Sequence, residues 1–220
     1  KYLSLLSVRN ADLPREKDPF CKAVGILLMR QLGNSPDIAV LERSHLDWLN
    51  KERNLPGMEW TTSLISSNIL LELTISRKDD GSIATLFMPK AEAITATGSI
   101  DIPSPISEKL SQYFLFKLNL ETLPMQVGNA DKEANRFYNE YLILERHSMK
   151  KEVSDKISAA YALNSNNRSI ALGYMKALAY LADEIILYEK KLDEGLDMVE
   201  TTLALSKKLY LKQNPFESDI

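Results

Sequence analysis

The chain has 220 residues, 45% hydrophobic and 26% charged, which is enough to bury a core without disulfides or a structural metal. Its net charge of −3 argues against a broad nucleic-acid-binding face, because neutralising phosphates needs clustered Lys and Arg. The single cysteine, Cys21, excludes an intramolecular disulfide, and no run of 18 apolar residues offers a membrane-spanning helix.

The first part alternates strands and helices. Residues 2–8, "YLSLLSV", predict a strand in a chain that starts without Met or a signal peptide, as a processed product or a piece would. Asp18-Pro19 predicts a helix start, with Asp as N-cap and Pro in the first turn. Phe20, Val24, Leu27, Leu28 and Leu32 form its stripe, and Gly33-Asn34 stops it. "DIAVLE" (37–42) predicts a short strand, and a second helix follows from Ser44. In residues 68–76, Ile69, Leu71, Leu73 and Ile75 share one strand face. Asp79-Asp80-Gly81 predicts a hairpin turn into "IATLFM". Ile94, Ala96, Gly98 and Ile100 then alternate with Thr95, Thr97 and Ser99. A further helix starts at Ser104-Pro105 and buries Ile106, Leu110, Phe114 and Leu118. This order predicts an α+β chain with one mixed sheet and helices packed on it.

Proline marks a boundary. Eight of nine prolines lie at or before Pro124, and seven of nine tyrosines lie after residue 130. Pro124, Gly128 and Asn129 break both periodicities, so the predicted domains are 1–124 and 130–214. The second reads as four helices, about 131–146, 150–163, 167–188 and 192–212, joined by short connections into antiparallel hairpins.

The stretch "DIAVLERSHLDWL" holds the most chemistry. Glu42 and His45 could form an acid/base pair, but a general base needs a pocket and a partner, and no second motif accompanies them. Ser44 and Asp47 match a capping box, which makes the stretch a strand-to-helix corner. His147, the other histidine, sits at a helix end beside Glu145 and Arg146. Neither C-x-x-C, H-x-x-x-H nor H-E-x-x-H occurs, so no metal site is expected, and no cofactor. Glycine-rich phosphate loops and G-x-S-x-G are also absent. Cys21 falls in a first helical turn, where a thiolate could be stabilised, or where a buried thiol is simply tolerated. Tyr138, Tyr141, Tyr161, Tyr174, Tyr180, Tyr188 and Tyr210 could line a peptide groove or pack between helices.

Two resemblances bear on the fold. Ser35, Val40, Leu41, Glu42, Arg43, Leu46, Leu49 and Glu52 resemble the helix, V-E-R strand and helix of the curli assembly/transport soluble domain. The pattern is also similar to the amino-terminal domain of the Tol-system beta-propeller protein. It extends more weakly to about residue 118, with Ser66-Ser67-Asn68 where those families have a Gly-Ala-Asp type entry. The long hairpins that build a transmembrane barrel have no counterpart, so pore formation is not implied. What the resemblance implies is a periplasmic or outer-membrane-associated assembly module, anchored, if at all, by a part outside this chain. Residues 135–167 resemble one tetratricopeptide unit, with Phe137, Tyr141, Leu144, Ile157 and Ala160 at packing positions. Glu140, Val153 and Ser165 depart from that pattern. A second unit begins with Ala171, Tyr174 and Leu178 and then loses register.

The expected function is non-enzymatic: a cell-envelope module that binds a protein partner or self-associates. Exposed tyrosines such as Tyr138 and Tyr174 are the expected contacts, with an edge role for Arg43. One alternative is a hydrolase or transferase using Glu42 and His45 in a cleft between the two parts. Another is nucleic-acid binding, disfavoured by an even charge distribution: 14 basic and 15 acidic residues in 1–130, then 13 and 15.

Overall fold

The fold is α+β. The structure, a computed structural model, describes residues 1–41, 68–88, 91–121, 129–146 and 150–213. The chain divides into two units, Lys1–Val127 and Gly128–Ile220.

The first unit is built on β1 (Tyr2–Asn10), β2 (Ala39–Val40), β3 (Asn68–Lys78), β4 (Gly81–Phe87) and β5 (Ile94–Gly98). They form one mixed sheet in the order β2-β1-β3-β4-β5. β1 runs parallel to both β2 and β3, while β3–β4 and β4–β5 are antiparallel. Helix α1 (Asp18–Leu32) follows β1, and α2 (Pro103–Lys117) follows β5. The period-two pattern explains the burial. Leu71, Leu73 and Ile75 on β3, Ala84 and Leu86 on β4, and Ile94 and Ala96 on β5 are all buried. They join Phe20, Val24, Leu28 and Leu32 of α1 and Ile106, Leu110 and Phe114 of α2 in one core.

Two local expectations are corrected. Asp18 is the first residue of α1 rather than its cap, and Lys17 occupies the cap position without a side-chain bond. The Asp18 carboxylate instead accepts from Asn10 Nδ2 at 2.7 Å, tying the helix start to the end of β1. The strand over 37–42 shrinks to Ala39–Val40 within the described residues. The Ile38 amide donates to Ser35 O at 3.1 Å, and that turn holds residues 37 and 38 out of the ladder.

The hairpin turn falls at Asp79-Asp80, where Lys78 pairs with Gly81 and Asp79 takes a φ of 50°. Gly81 is needed for space. A Cβ there would meet the Gly98 carbonyl oxygen at 2.6 Å, and backbone cannot move aside as a side chain can. Gly81→Ala is expected to destabilise the chain by about 2 kcal/mol. Urea unfolding followed by circular dichroism checks this, and an unchanged midpoint would contradict the tight β4–β5 contact.

The second unit contains α3 (Ala130–Arg146), α4 (Lys150–Leu163), α5 (Arg168–Glu184) and α6 (Leu192–Gln213). Each packs on the next. Asparagines start two of the four helices. Asn129 Oδ1 accepts from the Asp131 amide, and Asn167 Oδ1 from those of Ser169 and Ile170. α5 runs into a π-helical turn, Ile185–Glu189, which ends where Lys190 adopts the left-handed region at φ 56°. The buried seam is Ala134, Phe137 and Tyr141 on α3, Ile157 and Ala160 on α4, and Ala171, Tyr174 and Leu178 on α5.

Candidate functional site

The tyrosines expected to meet a partner lie largely inside the helical unit. The expected exposure of Tyr174 is corrected: it is only 6% exposed and stacks on Tyr161, ring centroids 4.5 Å apart. It faces inward because residues 171, 174 and 178 follow the helical repeat that α5 turns toward α4. Tyr138 is half-buried and stacks on Tyr141 at 5.7 Å. Arg43, Glu42, Ser44, His45, Asp47 and His147 lie outside the described residues, so neither the acid/base pair nor the capping box is placed.

Tyr141 anchors a polar link across the unit. Its hydroxyl donates to Glu145 Oε1 at 3.0 Å, and Lys176 Nζ on α5 reaches the same oxygen at 2.7 Å. The Lys176 bond, and then the Tyr141 bond, hold the Glu145 carboxyl below its usual range against the opposing effect of burial. Burial, and then donation to Glu145, push the Tyr141 hydroxyl up. Lys156 on α4 bridges to Glu140 on α3 at 2.7 Å. These pairs are part-exposed, so each contributes no more than about 1 kcal/mol.

Glu145 gives a testable pH dependence. Its folded pKa lies below its unfolded value near 4.5, so its contribution is fully present above that pH. The contribution is lost as pH falls through the folded pKa. Glu145→Gln is therefore expected to lower the thermal midpoint at pH 7, with the gap to wild type closing as pH falls below 4.5 and through the lowered folded pKa. Scanning calorimetry across that range checks it, and a pH-independent gap would contradict the link.

In the first unit, a cleft of about 480 Å³ opens at the carboxyl end of β1. Arg9 and Asn10 of β1, Arg15 of the connection, and Asp18, Cys21 and Lys22 of α1 line it. Open α/β sheets bind ligands at such ends, but the chemistry present is limited. Burial, and then the Asp18 carboxylate, push the Cys21 thiol up to about 12, so it is a neutral thiol and a poor nucleophile. Among the described residues, no group of three His, Cys, Asp or Glu side chains could hold a metal ion.

The largest unexplained feature is on α6. One face packs on α5. In the π-helical turn that follows α5, Ile186 lies so close to the Gly195 backbone that a Cβ there would meet its Cγ1 at 2.2 Å. A second face does not face α5: Leu192, Leu196, Val199 and Leu203 are 57%, 47%, 38% and 64% exposed. At 100° per residue these four fall within an arc of roughly 60°. Their four-three-four spacing is that of a helix–helix seam. Leu187 and Tyr188 are exposed just before it. Sequence reasoning found the helix but missed this second stripe, although the spacing was there to see. Tyrosine enrichment drew attention to α3 and α5 instead.

No helix among the described residues is long and apolar enough to cross a membrane. Comparison with protein-family profiles, curated proteins and solved structures finds no match for this chain.

Proposed function

We propose that this chain is a non-enzymatic protein-interaction or assembly module, and that α6 carries its contact surface. The supporting observation is the exposed stripe Leu192, Leu196, Val199 and Leu203 on a helix whose other face is already packed. Contiguous exposed apolar residues on a helix are the usual mark of a protein-contact surface. Burial of Phe137, Tyr141, Ile157 and Ala160, then of Ala171, Tyr174 and Leu178, is consistent with tetratricopeptide-like hairpins carrying that helix. The resemblance to curli assembly/transport components extends the proposal to a periplasmic or outer-membrane-associated location.

The test is cross-linking in the native cells, comparing the wild-type chain with Leu196→Lys/Leu203→Lys. The expected result is a cross-linked peptide, from another polypeptide or from a second copy, that joins residues 192–203 and disappears in the variant. Cross-links that are absent from α6, or unchanged in the variant, would sink the reading. Both substitutions fall on exposed positions, so the fold is expected to survive them within about 0.5 kcal/mol.

A further inference from the structure

The charges along α6 point to a specific occupant for its apolar face. Acidic residues crowd its first half, Asp193, Glu194, Asp197 and Glu200, and basic residues its second, Lys207 and Lys208. Asp193, Glu200 and Lys207 are exposed, and at 100° per residue they run along the rim of the stripe farther from α5. A parallel copy of this helix would set acid against acid and base against base. An antiparallel copy sets acid against base at both ends, which is the self-complementarity a two-fold interface needs.

We infer that the partner of this face is a second copy of the same chain, with the two α6 helices paired antiparallel about a two-fold axis. This rests on reading the stripe as a protein-contact surface and names what fills it. An antiparallel register centred on position 201 places Val199 of each chain beside Leu203 of the other, with Leu192 level with position 210 and Leu196 with position 206. The same register brings Asp193 of one chain within two residues, about 3 Å along the axis, of being level with Lys207 of the second copy, on the same rim. Glu200 then lies near the axis and meets its own copy, which holds the affinity down. The helix has 22 residues, or about 33 Å at 1.5 Å per residue, room for about three heptads. A pair of single helices buries less than a standard interface of about 1,600 Å², so a weak, concentration-dependent dimer is expected.

Sedimentation equilibrium on the purified full chain, from about 5 to 500 μM, tests the inference. The wild type is expected to pass from monomer to dimer. Leu196→Lys/Leu203→Lys should remain monomeric. Lys207→Glu should weaken the dimer roughly tenfold, and so should Asp193→Lys, while their equimolar mixture restores a heterodimer. The inference is overturned by a wild type that stays monomeric, by a dimer indifferent to the leucine substitutions, or by charge variants that dimerise like wild type. A Leu192→Cys chain tests orientation: disulfide-linked dimers would overturn the antiparallel arrangement, because it holds the two positions at opposite ends. A monomeric wild type whose cross-links in cells still depend on Leu196 and Leu203 overturns the self-pairing alone. The contact reading falls only if those cross-links fail too.

Discussion

Phe137→Ala is expected to destabilise the helical unit by about 3–5 kcal/mol. Phe137 is among the largest fully buried side chains, 1% exposed, on α3. Lys156 of α4 lies over its ring, 5.7 Å from the centroid. Removing the ring leaves a cavity that rigid neighbouring helices fill only in part. Whole domains are stable by only about 5–15 kcal/mol, so the loss is a large fraction of the total. Urea unfolding monitored by helical circular dichroism reads it directly. A loss under about 1 kcal/mol would mean that Phe137 is not at the centre of the seam.

The second large effect belongs to α2. Phe114→Ala is also expected to cost about 3–5 kcal/mol, while Phe116→Ala on the same helix should stay within about 0.5 kcal/mol. The two residues are the same type and two positions apart, so propensity cannot separate them. Their environments do: Phe114 is fully buried in the sheet core and Phe116 is 79% exposed. Comparable losses at both sites would contradict the assignment of the core-facing side of α2.

Much of the architecture was legible in the sequence where one physical signal dominated. Strand β3 shows alternation at Leu71, Leu73 and Ile75, because one face of the sheet is buried and the other is not. The helices of the second unit stand out because asparagines at 129 and 167 cap α3 and α5 and no proline interrupts any of the four. Local signals failed where tertiary context overrode them. Asp18 has the chemistry of an N-cap but is held by Asn10, a contact that exists only after β1 and α1 meet. The turn at Ser35–Ile38 trims a strand that hydrophobicity alone would extend.

Site residues were harder to read. A tyrosine is equally at home in a core or at an interface, so its presence does not say which way the helix faces. Tyr174 follows the inward repeat and is buried, whereas Tyr180 on the same helix is 62% exposed. The α6 stripe was encoded plainly, but one helix carrying two apolar faces reads from sequence as one broad face. Only the packing of α5 shows which half is already used.

The most direct test of the α6 surface is a concentration series of methyl NMR spectra on the full chain. Contact with a second copy predicts that the methyl signals of Leu196, Val199 and Leu203 shift progressively with concentration. Those of buried Leu71, Leu73 and Leu86 should stay fixed. Signals at positions 196, 199 and 203 that do not move as concentration rises, or shifts confined to other parts of the chain, would contradict it.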